Sequence, residues 1–211
     1  MKLLVQLFSP IVLLPLAAGG CKTPGTPPPT PRPPQPSAST ANPAPAEQTN
    51  PRAVIRTNQG EIELELDPQR APISVQNFLG YVRKKQYDGT IFHRVIGNFM
   101  IQGGGMTADF AQKRAGPGIK NESTNGLLNR RGTIAMARTN DPDSATCQFF
   151  INVVDNPYLD GKPGKPGHAV FGKVVAGMDV VDKIRAVPTH TVHSCQDVPT
   201  KTVVIESVRE K

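Results

Sequence analysis

The chain has 211 residues, 24 Lys and Arg against 17 Asp and Glu, a formal net charge of +7, 22 prolines and no tryptophan. The basic residues are scattered, without a stripe or interleaved aromatics, which argues against a nucleic-acid surface in spite of the positive balance. The apolar run Leu3 to Leu16 is broken by Gln6, Ser9, Pro10 and Pro15, too short and too interrupted for a membrane-spanning helix of about 20 apolar residues.

Residues 1–20 read instead as a targeting segment, with Lys2 as its positive n-region. Its end, Leu16-Ala17-Ala18-Gly19-Gly20-Cys21, resembles a bacterial lipobox, although Ala18 stands where Leu is usual. The expectation is a lipid on Cys21, which would hold a soluble domain at a membrane surface rather than make it span. Lys22 follows, with no Asp to retain the protein at the inner membrane, so the expected place is the outer membrane, facing the periplasm. Residues 21–51 are Pro, Thr, Ser and Ala with almost no large apolar side chain. Such a segment cannot bury enough surface to offset chain entropy. It reads as a polyproline-rich spacer rather than a ligand for a proline-binding groove.

From residue 52 to 211 the composition turns globular, enough for one domain with a single core. Val54–Thr57 and Glu61–Leu66 read as two strands joined at Asn58-Gln59-Gly60. Ile62, Leu64 and Leu66 alternate with Glu61, Glu63 and Glu65, which places the glutamates on the solvated face and not in a catalytic cluster. Pro72 opens a helix whose apolar stripe is Val75, Phe78, Leu79 and Val82.

The stretch from Phe92 to Gly105 carries the chemistry. Read as a regular strand, it puts Phe92, Arg94 and Ile96 on one face, with His93 and Val95 on the other. A turn at Gly97-Asn98 returns the strand Phe99–Gln102, so that a permanent cation, Arg94, stands over an apolar floor of Phe99 and Met100 beside the Gln102 amide. A five-donor group next to a greasy pocket suits an apolar ligand with a carbonyl. Gly103-Gly104-Gly105 matches no phosphate-loop pattern and reads as a turn.

Thr107 to Asn129 reads as a long surface loop. Strands are expected at Gly132–Thr139, Gln148–Val154, Ala169–Val175 and Thr202–Val208, and a second helix around Val180, Val181 and Ile184. Of Phe149 and Phe150, one is expected in the core. His190, His193 and Cys195 have metal-like spacing but no fourth ligand nearby, so they read as a solvated loop. Ser144 and His93 lack the third partner and the elbow of a hydrolase. Whether Cys147 and Cys195 pair or stay free is open. Many strands and two distant helices suggest a β-barrel capped by helices.

Phe92-His93-Arg94-Val95-Ile96, Phe99-Met100-Ile101-Gln102-Gly103-Gly104-Gly105, Gln148-Phe149-Phe150-Ile151 and Val170-Phe171-Gly172-Lys173-Val174, in this order, resemble the motifs of the cyclophilins, the peptidyl-prolyl cis-trans isomerases. The likeness runs from about Ala53 to Val208, and the Ala137-Arg138-Thr139 segment looks like the bacterial periplasmic branch. It implies a mainly β fold, a closed eight-stranded antiparallel barrel with a helix over each end, and rotation about X-Pro bonds without a cofactor or metal. On this resemblance Arg94 is the catalytic residue. Phe99, Met100, Phe150 and Leu159 receive the proline ring. His93, Gln102, Gln148 and Ala137-Arg138-Thr139 hold the flanking peptide, and His168 is a rim residue. Tyr158 stands where many eukaryotic members carry Trp, which implies weaker cyclosporin binding. The usual proline after the Phe-His-Arg motif is replaced by Gly97-Asn98. The implied partners are proline-containing polypeptides that are unfolded or partly folded on export, met by a monomer. The alternative is a proline-peptide binding or chaperone module with incidental turnover.

Overall fold

The computed structural model describes residues 50–211; the targeting segment, Cys21 and the spacer up to residue 49 lie outside the described residues. The chain runs β1 (Arg52–Thr57), β2 (Gly60–Leu66), α1 (Pro72–Arg83), β3 (Thr90–Ile96), β4 (Met100–Thr107), β5 (Thr133–Met136), β6 (Phe149–Asn152), a 3₁₀ turn (Pro157–Leu159), β7 (Val170–Ala176), α2 (Met178–Arg185), β8 (Thr189–Val192), β9 (Cys195–Pro199) and β10 (Val204–Glu210). Eight strands close into a barrel in the order β1-β10-β3-β4-β6-β5-β7-β2, every pair antiparallel, while β8 and β9 form a separate hairpin. Closure leaves no strand edge to solvent. The mainly β barrel with two helices is the fold that the resemblance implies.

Alternation builds the wall. Ile62, Leu64 and Leu66 point inward and are fully buried. The glutamates between them face outward and are ion-paired: Glu61 to Arg56 at 2.9 Å, Glu63 to Arg52 at 3.0 Å and Lys211 at 2.7 Å, Glu65 to Lys173 at 3.2 Å. Helix α1 starts at Pro72, where the missing N–H costs nothing. The Glu122 carboxylate, from the long loop, accepts from the N–H groups of Ile73 (3.0 Å) and Ser74 (2.8 Å), which neutralises the helix start. The helix buries Val75, Phe78, Leu79 and Val82, with Phe78 edge-on to Phe149 at 5.8 Å. It packs on β7 and β10; α2 packs through Val180, Val181 and Ile184 on β2, β3 and β4.

Three expectations are corrected. Phe92 and Arg94 do not share a face. Strand β3 slips register between Phe92, opposite Gly103, and Arg94, opposite Gln102. The extra residue, His93, sends Phe92 into the core while Arg94 points out. Gly103-Gly104-Gly105 is not a turn but lies inside β4. A Cβ on Gly104 would come within 2.8 Å of Phe149, and its φ of +86° suits glycine. Finally, the segment with His190, His193 and Cys195 is the hairpin β8–β9, packed on β3, rather than a loop. Both Cys147, buried, and Cys195, half-buried, are free thiols.

Candidate active site

Strands β4, β5, β6 and β7 carry apolar side chains on both faces. Inward lie Ile101, Ile134, Met136, Phe149, Ile151 and Phe171. Outward, Met100, Ala135, Phe150 and Val170 form a second apolar cluster. An outward cluster needs cover, because exposed apolar area is costly at about 25 cal/mol per Å². Leu127, Leu159, Phe99 and Ala137 supply part of it, and what they leave is a hollow.

That hollow is a cavity of about 220 Å³ lined by Arg94, Phe99, Met100, Gln102, Ala137, Arg138, Phe150, Leu159 and His168. Larger concavities exist, one of about 490 Å³ bordered by Glu65, Asp67, Arg70, Arg130 and Lys173. What sets the smaller one apart is a floor drawn from the outward apolar cluster, Met100 and Phe150, with the Arg94 cation and the Gln102 amide beside it. The structure thus brings together nine of the residues singled out from the sequence.

Each is held in place. Phe150 sits in β6 across from Gln102 and Ala135. The His168 ring stands edge-on to Phe150 at 5.3 Å, and its Nδ1–H donates to the Met136 carbonyl at 3.1 Å. Burial lowers the His168 pKa below its ordinary 6.5; the Met136 hydrogen bond opposes this, and the nearby Arg138 charge adds to it. A neutral ring therefore forms the wall at neutral pH. The Arg138 guanidinium donates to the carbonyls of Thr139 (2.8 Å), Pro166 (2.9 Å) and Gly167 (3.0 Å), stapling the segment 162–167 to the rim. The Arg94 Nε lies 3.7 Å from Asp197 Oδ2.

The remaining sequence candidates lie around the cavity and not in its lining. Gln148 accepts from the Gln102 side-chain amide at 2.8 Å. Tyr158 is 65% exposed, its ring against Phe99 at 5.7 Å, at the rim. Thr139 bonds through its hydroxyl and its N–H to the Ser144 hydroxyl, beside Arg138. His93 is buried in the β3 bulge, with an Nδ1 that has no hydrogen-bond partner among the described residues. Burial lowers its pKa, so the ring is neutral at neutral pH, and it stands behind the cavity lining beside Arg94. Among the described residues no group of three His, Cys, Asp or Glu side chains forms a metal site.

Sequence reading missed the supports. Asn152 donates to Asn129 (3.2 Å) and Thr133 (3.0 Å), and Asn156 donates to Asn152 (2.7 Å) and the Phe99 carbonyl (2.9 Å). Asp160 accepts from the Asn129 backbone at 2.7 Å. This buried network holds the turn that carries Tyr158 and Leu159 against the barrel. The one signal was an Asn closing an otherwise apolar strand at position 152.

Comparison with known proteins agrees with this architecture. The family model described as cyclophilin type peptidyl-prolyl cis-trans isomerase matches residues 52–210. The chain is similar to peptidyl-prolyl cis-trans isomerase A of Dickeya dadantii, 55% identical over 168 residues, covering 80% of this chain and 88% of that protein. It is also similar to peptidyl-prolyl cis-trans isomerase B of Escherichia coli, 54% identical over 155 residues, covering 72% and 94%. Among solved structures, a Cryptosporidium parvum cyclophilin type isomerase, determined in the presence of the dipeptide Ala-Pro, superposes with a TM-score of 0.64 at 26% identity, covering 76% of this chain and 98% of that one.

Proposed function

The chain belongs to the cyclophilin-type peptidyl-prolyl cis-trans isomerase family and is a peptidyl-prolyl cis-trans isomerase, and on that premise we propose that Arg94 carries the rate on X-Pro bonds of exported polypeptides at a membrane surface. The observation behind the first half is the position of Arg94 over the outward apolar cluster, with the Gln102 amide beside it. The barrier to rotation is the partial double bond of the amide, about 18–20 kcal/mol. It falls when the prolyl nitrogen's lone pair leaves resonance. A guanidinium N–H directed at that nitrogen or at the prolyl carbonyl stabilises the twisted amide, in which the nitrogen is pyramidal. Met100, Phe150, Phe99 and Leu159 hold the ring while the preceding carbonyl swings. Gln102, Ala137, Arg138 and His168 border the peptide, Gln148 and Thr139 back them, and Tyr158 closes the rim. The reaction makes and breaks no covalent bond, so the work is positioning and electrostatic stabilisation.

The second half rests on the sequence ahead of the domain: the targeting segment 1–20, the lipobox-like end at Cys21 and the spacer 21–51. A lipid on Cys21 with a semi-rigid proline-rich tether places a single-domain monomer at the periplasmic face of the outer membrane. There, uncatalysed X-Pro isomerisation of about 10–100 s limits the folding of incoming chains.

A proline-limited refolding assay tests the activity: wild type accelerates the slow phase and Arg94→Ala does not. Radioactive palmitate tests the anchor: label appears on the full-length chain and disappears in Cys21→Ser, and label that survives Cys21→Ser refutes it.

A further inference from the structure

We propose that Asp197 is a positioning residue for Arg94, fixing the direction in which the guanidinium is presented to the pocket; the inference rests on the reading of Arg94 given above. The Arg94 side chain is 43% exposed. Among the described residues its guanidinium makes no hydrogen bond, and its ion pair is with Asp197, Nε to Oδ2 at 3.7 Å. A long side chain in that situation spreads over many rotamers, and any orientation useful to a substrate must be selected from them. A carboxylate on the Nε edge narrows the spread and leaves the two terminal amino groups for the ligand.

The backbone is built to deliver that carboxylate. In the β8–β9 hairpin His190 pairs with Val198 and Val192 with Cys195, so Thr191 alone opposes two residues, Gln196 and Asp197. This is a bulge, and bulges re-aim side chains. Asp197 stands in it at φ +59°, a left-handed conformation that glycine adopts freely and aspartate only at a cost. Among the described residues its carboxylate has no contact that would repay that cost except the one with Arg94. The second bulge, at His93 in β3, turns Arg94 outward, and β9 packs on β3. Two irregularities on neighbouring strands thus bring the two charges together. A strained polar residue held beside a site points to function there and not to stability.

The test measures kcat and KM separately on a prolyl peptide with the full chain carrying Asp197→Gly, Asp197→Asn or Asp197→Glu, alone and with Arg94→Ala. A merely structural role predicts that activity follows the melting temperature. The proposal predicts the opposite for Asp197→Gly: a melting temperature equal to or above wild type, because glycine relieves the backbone, and kcat lower by about three- to tenfold with KM nearly unchanged. Asp197→Asn, which keeps the shape and tolerates the backbone, loses the same factor, and Asp197→Glu recovers part of it. In the Arg94→Ala background Asp197→Gly changes nothing more. Wild-type kcat in both Asp197→Gly and Asp197→Asn, with Arg94→Ala impaired, overturns this inference alone. Wild-type kcat in Arg94→Ala overturns the reading of Arg94 and this inference with it.

Discussion

The side-chain amide of Gln102 donates to the side-chain carbonyl of Gln148 at 2.8 Å, tying β4 to the residue just before β6 at the edge of the pocket. Gln148 can lie there because its side chain packs against Gly105, which has no side chain of its own. A Cβ at 105 would stand 2.6 Å from Gln148 Nε2 and closer still to its Cγ. Gly105→Ala must push Gln148 away and break the pair. The expected result is a loss in kcat/KM of about three- to tenfold, the worth of one oriented hydrogen bond. Adding Gln148→Ala removes the crowding, so it restores the melting temperature and not the activity. Wild-type kcat/KM in Gly105→Ala would show that the pair does not orient substrate.

Neighbouring phenylalanines should separate stability from binding. Phe149 points into the core against Phe78, Tyr87 and Phe92, and Phe150 points into the outward cluster at the pocket. Phe149→Ala is expected to cost about 3–5 kcal/mol in denaturant unfolding. Phe150→Ala costs less stability, since its cavity opens to solvent, and raises KM severalfold. Equal losses of stability with unchanged KM would contradict the division of faces.

Gly104 has no substitute. Its φ is +86°, and a Cβ would meet Phe149 at 2.8 Å and Tyr87 at 2.9 Å. Gly104→Ala is expected to destabilise by about 2–4 kcal/mol, from backbone strain plus overpacking. A melting temperature within a degree of wild type would refute this.

Acid should weaken the fold through histidine. His93 and His168 both have pKa values lowered from 6.5, with burial the first cause in each. The unfolded chain therefore takes up these protons at a higher pH than the folded one does. The stability is fully present above about pH 6.5 and is lost as pH falls from there toward the lowered folded-state values. Melting temperatures between pH 8 and pH 5 should decline over that window, and His93→Gln and His168→Gln should each flatten the slope. The carboxylates held down by ion pairs, such as Asp88 beside Arg209, titrate lower and are not involved. A fold that grows more stable between pH 7 and pH 5.5 would contradict the assignment.

The sequence made the fold legible wherever the side-chain period was regular. The alternation of Ile62, Leu64 and Leu66 with glutamates, and the stripe of α1, survive intact because one face of each is buried. It was less legible where the period breaks. A one-residue bulge at His93 reverses the faces of everything before it, and no residue type announces a bulge in advance. The triple glycine looked like a turn because glycine permits turns; its cause is the side chains of Phe149 and Gln148 pressing on β4, which are distant in sequence. The hairpin β8–β9, short and polar, carries no apolar alternation to announce it. For the site, the pocket apolar residues stand out through the motifs that hold them. Asp197 and the network of Asn129, Asn152 and Asn156 do not, since their partners are set by tertiary structure alone.

The central claim is that the Arg94 guanidinium, placed over the cluster of Met100 and Phe150, supplies the rate. A protease-coupled assay on an Ala-Pro peptide tests it directly. Arg94→Ala should lose on the order of 10²–10³ in kcat/KM, the usual consequence of removing a pre-aimed donor. Arg94→Lys should recover only a small part, because an ammonium lacks the planar fork. Both variants should melt as wild type does, since an exposed ion pair contributes little. A folded Arg94→Ala protein that isomerises the peptide at the wild-type rate would contradict the account.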